Sequence, residues 1–343
     1  MAILKCKMCG GTLDYDRELD LTICPYCGTK SVIFDQDRKL FRQFRNQFAA
    51  LLNQESENLP EEGFWVETEK EELVRSDGEI IEISYFAKRR SDMCVLYVAR
   101  HNIIYLFESR DAGYAARYLD MVKRITYPSP EMKRELERYV PRPVTDCLLA
   151  DGRYFLAIEK PEGVYPLKML GRLIDRHVAW ILSRLENLCC LLEYNDMVLN
   201  AFTLENLFVD PGSHQIYLYG GWWFSGFRGA EIAGVSESVM PYLESWSKWH
   251  NTGKKVCAFR TDLESIRLVA ANLLGCPRRE ALRTSRLVPE PFQHFLLQEP
   301  EKSPREDFAK WDRVLLESYG ERKFIPLAVS EEDVYMSGLY AEN

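Results

Sequence analysis

With 343 residues, the chain is longer than one hydrophobic core usually supports, so a small module and a larger domain are expected. Apolar residues make up 46% and charged residues 28%, which is typical of globular proteins. The formal net charge of −8 argues against a dedicated nucleic-acid binder, because such a protein presents a basic face to phosphates. No apolar stretch reaches the roughly 20 residues of a membrane span, and the N-terminus lacks the apolar run of a secretory signal, so a cytoplasmic protein without membrane contact is predicted.

The first predicted module, residues 1–34, contains two CxxC pairs, each followed by glycine. Cys6 and Cys9 form the first pair and Cys24 and Cys27 the second, with short strand-like runs between them. Four thiolates from two such turns close a tetrahedral shell around one structural zinc ion. A catalytic zinc would need an open position, and a redox CxxC motif fits two pairs poorly. The sequence therefore predicts a zinc ribbon whose metal holds the fold.

A helix and an acidic connection are predicted for residues 35–77. Leu40, Phe44 and Phe48 recur at four-residue steps, which is the spacing of an amphipathic helix. The segment 55–72 is rich in glutamate and contains Pro60 and Gly63, so it is interpreted as a solvated linker, with a binding tail as the less favoured alternative.

The remaining residues predict an α+β domain with two lobes. Runs at 80–86, 93–99 and 102–107 are strand-like, a helix follows at 111–125, and two more strand runs lie near 144–149 and 154–158. From residue 161 the pattern is chiefly helical, most clearly at 178–194. A small mixed lobe at 78–160 should therefore precede a helical lobe at 161–343.

This order of elements resembles the protein-kinase fold, and local motifs add to the resemblance. The run 154–163 is similar to the last small-lobe strand and the hinge, and the helix 178–194 is similar to the one before the catalytic loop, which would fall at 199–206. The strand 215–221 occupies the place of the one that carries a metal-binding Asp. The helix 261–275 starts near Asp262, which by the resemblance ties back to the catalytic loop.

Laid on the kinase motifs, the chain lacks the proton-accepting Asp, the metal-binding Asp and the phosphate-binding Lys that phosphoryl transfer needs. Ala201 stands where the loop Asp would accept the substrate proton, and Gly220 stands near the metal-binding Asp. Phe107, or Tyr105 two residues before it, takes the place of the phosphate-binding Lys. The helix offers Tyr118 or Asp120 near the expected Glu, so the ion pair of an active kinase is not expected.

Two residues could still belong to a degenerate nucleotide cleft. Glu159 lies at the hinge position, and Asn206 matches the family's metal-binding Asn, although a loop-stabilising role is the favoured interpretation. The turn predicted at 86–92 contains no glycine, whereas a phosphate-covering loop uses glycines for close backbone approach. ATP is therefore not an expected cofactor. Trp222 and Trp223 are expected to fill the cleft or local core rather than to form an exposed docking patch.

Three functions compete. The favoured one is a catalytically inactive pseudokinase, a regulatory or scaffold protein of bacterial type that binds a protein partner. The second is an atypical phosphoryl- or nucleotidyl-transferase that uses Glu205, Asn206 and Asp210 instead. The third is nucleic-acid binding through the ribbon, which the net charge disfavours.

Overall fold

The computed structural model describes residues 21–23, 30–32, 68–91, 93–240, 255–284, 288–321 and 324–335. The chain divides into two compact units, Met1–Val66 with Ile325–Ala328 and Glu67–Phe324 with Val329–Asn343. In the first unit, β1 (Leu21–Ile23) pairs antiparallel with β2 (Lys30–Val32). The four cysteines, and the amphipathic helix predicted after them, lie outside the described residues.

The larger unit begins with a hairpin of β3 (Glu69–Val74) and β4 (Ile80–Tyr85), which pair antiparallel. Strand β3 corrects the sequence interpretation, which assigned the glutamates of β3 to a solvated linker. The reason lies in the alternation of the strand: Leu73 is buried on one face, while Lys70 forms an exposed ion pair with Glu82 on the partner strand at 2.8 Å.

A five-stranded sheet follows, in which each strand pairs antiparallel with its neighbours. The strands are β5 (Ala87–Arg90), β6 (Cys94–Val98), β7 (Asn102–Phe107), β8 (Pro143–Leu148) and β9 (Tyr154–Glu159). From one edge of the sheet to the other, the strands lie in the order β5-β6-β7-β9-β8.

The start of this sheet differs from the sequence prediction. The run 80–86 was expected to be its first strand and 86–92 a turn, but Ala87–Arg90 is itself the edge strand. A strand this polar is stable at the edge because Lys88 pairs with Glu71 at 2.7 Å and lies over the ring of Tyr97. The connection to β6 is short and is closed by a hydrogen bond from the Ser91 amide to the Cys94 carbonyl, at 2.8 Å.

Two α-helices follow β7 and precede β8 along the chain. Helix α1 (Ala112–Lys123) buries Ala115, Tyr118 and Met121 at three-residue steps, so one stripe of it packs on the lobe. Helix α2 (Pro130–Leu136) starts with proline in its first turn and is capped by the Ser129 side chain, which accepts from the Met132 amide.

The helical lobe combines long helices with short strands. In chain order the elements are β10 (Tyr165–Pro166), α3 (Asp175–Tyr194), β11 (Met197–Val198), β12 (Leu207–Asp210), β13 (Gln215–Leu218), β14 (Gly226–Phe227), α4 (Phe259–Leu273), α5 (Glu290–Leu297), α6 (Pro304–Tyr319) and α7 (Glu331–Tyr335). Strand β12 pairs with β10 on one side and with β13 on the other, and β11 pairs with β14. None of the helices in these described segments is long and apolar enough to cross a bilayer.

The core of this lobe contains a fully buried ion pair between α4 and α6. Arg267 Nη2 lies 2.9 Å from the Asp307 carboxylate, and neither side chain is exposed. Burial and the neighbouring Asp307 raise the pKa of Glu186 well above its usual value, with Arg267 opposing the shift. We therefore expect Glu186 to be neutral beside the charged pair.

Removing one partner of the buried pair tests its part in the fold. We expect Asp307→Asn to lower the free energy of unfolding by roughly 3–5 kcal/mol, because Arg267 would stay buried without a counter-ion. Urea denaturation followed by far-UV circular dichroism measures the loss. Asp120→Asn is the matched control, since Asp120 pairs with Arg124 on an exposed helix face. Equal losses in the two variants would contradict this interpretation.

Candidate functional site

The side chain of Asp262, in the first turn of α4, binds the backbone of the loop that follows β11. Its carboxylate accepts hydrogen bonds from the Leu199 amide at 2.7 Å and the Asn200 amide at 2.9 Å. Burial raises the pKa of Asp262 to about 7, while the two amides oppose the rise. The predicted tie between Asp262 and the loop is confirmed.

Ala201 and Asn206 meet inside this loop. Ala201 is fully buried, and its carbonyl accepts a hydrogen bond from Asn206 Nδ2 at 3.0 Å. The backbone carbonyl of Asn206 in turn accepts a hydrogen bond from the Gly220 amide at 3.1 Å. Asn206 therefore stabilises the loop, in agreement with the interpretation favoured from the sequence.

Gly220 leaves no room for the carboxylate that a kinase carries near this position. A Cβ atom there would lie 2.2 Å from Asn206 Oδ1 and 2.8 Å from its Cγ. Since Asn206 is buried and hydrogen-bonded, it cannot move aside cheaply. The geometry excludes a magnesium ligand at Gly220 without rearrangement of the loop.

An aromatic cluster fills the space between β7, α1 and the segment after β13. We define it as Tyr105, Phe107, Tyr118 and Trp223, all of which are buried. The ring of Trp223 lies 5.3 Å from that of Tyr105 and 5.7 Å from that of Phe107, both edge-on, and it stacks on Tyr118 at 5.9 Å. Burial raises the pKa of both tyrosines well above the usual value, so they stay neutral.

By the resemblance drawn from the sequence, Phe107 or Tyr105 is expected at the position of the kinase Lys, and Tyr118 or Asp120 near that of its Glu. Three of these four residues belong to the aromatic cluster, whose rings pack against one another without a charged group. The expectation that Trp222 and Trp223 fill the cleft or local core agrees with their complete burial.

Helix α1 is further anchored by hydrogen bonds that the sequence analysis missed. The Tyr118 hydroxyl donates to the Tyr219 carbonyl at 2.6 Å, and the Arg117 guanidinium donates twice to the Ser225 carbonyl, at 2.6 and 3.1 Å. Both acceptors are backbone atoms, so no residue pattern could have signalled the pairing.

At the hinge, Glu159 is exposed and Lys160 is buried. The Glu159 carboxylate lies 3.9 Å from Arg142 on the surface. Lys160 donates to the Pro161 and Val164 carbonyls, and burial lowers its pKa to about 8. Glu159 and Asn206 thus have separate local partners, Arg142 and the Ala201 carbonyl.

The carboxylates considered for a non-standard reaction also have structural partners. Glu205 forms an ion pair with Lys168 at 2.6 Å. Asp210 accepts from the Gly212 amide, the Ser213 amide and the Ser213 hydroxyl, which closes the turn between β12 and β13. Over the ranges that the structure describes, no group of three or more His, Cys, Asp or Glu side chains could hold a metal ion.

Comparison with known proteins identifies the fold. The chain resembles the solved structure of vaccinia related kinase 3, with a TM-score of 0.51 and 16% identity over 81% of this chain and 98% of that one. A rhoptry kinase from Toxoplasma gondii gives 0.51 and 12%, covering 76% and 86%. ROP2 from Toxoplasma gondii, called a virulence factor with a protein-kinase fold and no enzymatic activity, gives 0.50 and 11%, covering 74% and 86%. No family model matches the chain, and no curated protein matches it.

These similarities show the fold alone, because all the identities are low. The chain contains a protein-kinase-like fold with a sheet-rich first lobe and a helical second lobe, as the sequence predicted. Its neighbours include proteins named as kinases and one described as having no enzymatic activity. Function therefore has to be argued from the site.

The close contact at Gly220 gives a prediction. We expect Gly220→Ala to lower the free energy of unfolding by roughly 1–3 kcal/mol, because the methyl group would overpack against Asn206. Gly113→Ala is the control: it lies in α1 with no atom within 4 Å of the added Cβ, and should be neutral or slightly stabilising. Chemical denaturation measures both. A Gly220→Ala protein as stable as the control would show that the loop has space for a side chain.

Proposed function

We propose that this chain is a pseudokinase, which has the kinase fold but transfers no phosphoryl group and acts as a regulatory or scaffold protein. The observation that carries the proposal is the buried junction of Gly220, Asn206 and the neighbouring aromatic cluster. The resemblance to kinases, in which the metal, the phosphates and the Lys–Glu ion pair would fall at these positions, supports the proposal.

The chemistry of the junction supports an inactive site. Phosphoryl transfer requires a group that accepts the substrate proton, carboxylates that hold magnesium, and a cation for the phosphates. Ala201 offers a methyl group, Gly220 offers no side chain, and Phe107 offers a ring. Most of the rate enhancement of such enzymes comes from placed charges, and here neutral groups take their positions.

A function in binding proteins follows from what remains. A fold that keeps its scaffold without its catalytic groups can contribute through its surfaces. The N-terminal cysteines support the same view, because two CxxC pairs fit a structural zinc module of the kind that serves recognition. We propose Cys6, Cys9, Cys24 and Cys27 as the ligands of that zinc. Metal analysis that finds no zinc in the purified chain would contradict this part of the proposal.

Nucleotide binding is the direct test of the proposal. With ATP and magnesium or manganese at millimolar concentration, we expect the midpoint of thermal unfolding to move by no more than about 1 °C. A working site with ligand at 100 times its Kd would add about 2.7 kcal/mol and shift the midpoint by several degrees.

The same samples are assayed for ATP hydrolysis and autophosphorylation. Metal-dependent turnover that is lost in Asn206→Ala but kept in Glu131→Gln, a change at an exposed ion pair with Arg134, would overturn the proposal, provided that circular dichroism shows both variants to be folded. Absence of turnover together with an unchanged midpoint is the expected result.

A further inference from the structure

The last described helix, α7, has a well-defined start. Ser330 and Asp333 form a reciprocal cap: the Ser330 amide and hydroxyl donate to the Asp333 carboxylate at 3.1 and 2.8 Å, and the Asp333 amide donates to the Ser330 hydroxyl at 3.2 Å. A single turn of helix is not stable alone in water. Its stability must therefore come from what it packs against.

On one side, α7 packs against the sheet lobe. The ring of Tyr335 stacks on Phe86, immediately before β5, with centroids 4.8 Å apart and planes inclined by 19°. Arg100, between β6 and β7, lies 3.6 Å from the Glu331 carboxylate, and its guanidinium lies 5.4 Å from the Phe86 ring. These contacts join α7 to one end of the β5–β6 pair, where Ala87 lies opposite Val98.

On the other side, α7 packs against the helical lobe. Val334 is 2% exposed and forms one apolar cluster with Tyr165 and Met169, just beyond the hinge. The Tyr335 ring also meets Tyr165 edge-on, with centroids 6.1 Å apart. One short helix thus contacts the last residues before the sheet and the first residues after the hinge.

The hinge itself lies beside these contacts. The Lys160 amide donates to the His101 carbonyl at 2.7 Å, and its buried ammonium donates to the Val164 carbonyl. Glu331 raises the pKa of Lys160 electrostatically, although burial lowers it more. The Glu331 carboxylate of α7 therefore interacts electrostatically with the buried Lys160 ammonium in the hinge.

We propose that α7 acts as a strap across the hinge, tying the two lobes together by contacts with Phe86 and Arg100 on one side and Tyr165 and Met169 on the other. In an active kinase, bound nucleotide bridges the lobes at this end of the cleft. Here a part of the chain supplies a bridge, so the lobes are held in one arrangement without a ligand. The proposal concerns lobe motion and holds whether or not the cleft is catalytically inactive.

Hydrogen exchange followed by mass spectrometry tests the strap. In Val334→Ala/Tyr335→Ala, we expect peptides that cover the hinge and Tyr165 to exchange at least about tenfold faster than in the wild type, because opening costs less free energy. Peptides from α3 and α4 should keep their wild-type rates, since they lie in the core of the helical lobe. Equal rates at the hinge in wild type and variant would overturn the proposal.

The control removes similar side chains at a distance from the hinge. Tyr194→Ala/Leu316→Ala takes away two exposed apolar residues of the helical lobe and should leave exchange at the hinge unchanged. If the first variant unfolds as a whole, Tyr335→Leu, which keeps an apolar side chain but loses the ring contacts with Phe86 and Tyr165, is judged by the same criterion. Because exchange is measured without nucleotide, its result is independent of the assays of ATP binding.

Discussion

Packing around Trp223 is the interaction on which the arrangement of this cleft depends. Its ring contacts β7 through Tyr105 and Phe107, and α1 through Tyr118. Because strand and helix share the same buried indole, α1 cannot move outward without exposing it to water. In active kinases an ion pair between the strand Lys and the helix Glu does this work. In this chain the hydrophobic effect and the hydrogen bond from Tyr118 to the Tyr219 carbonyl join β7 and α1.

The loop at 199–206 is held by contacts that do not involve the Ala201 side chain. Asp262 accepts hydrogen bonds from the Leu199 and Asn200 amides, and the Asn206 side chain donates to the Ala201 carbonyl, so the backbone is fixed at both ends of the loop. None of these contacts requires a reactive group at position 201. The shape of the loop is therefore compatible with a methyl group there.

Much of the helical lobe could be predicted from the sequence because its signals are local. The apolar stripe at 178–194 lies within α3, and 261–275 predicted α4 and its end, where Gly275 has a φ of +80°. The sheet lobe was harder to predict. Residues Glu69–Val74 look like an acidic linker, and only their pairing with β4 and the burial of Leu73 reveal a strand.

The sequence allowed us to predict which residue types stand at the candidate site, but it did not allow us to predict which of them are in contact. The sequence led us to interpret Ala201 and Gly220 as lost catalytic positions, but the lack of room beside Gly220 depends on the position of Asn206 in space. The hydrogen bonds of Tyr118 and Arg117 end on backbone carbonyls, and the contacts of α7 join residues far apart in the chain. Long-range packing of this kind leaves no local pattern to read.

Aromatic packing around Trp223 fills the space between β7 and α1. The Trp223→Ala variant tests this claim most directly. We expect the variant to lose about 3–5 kcal/mol of unfolding free energy, and added indole to restore part of that loss by filling the cavity. A loss below about 1 kcal/mol, with no response to indole, would show that Trp223 does not fill the cleft and would contradict the account.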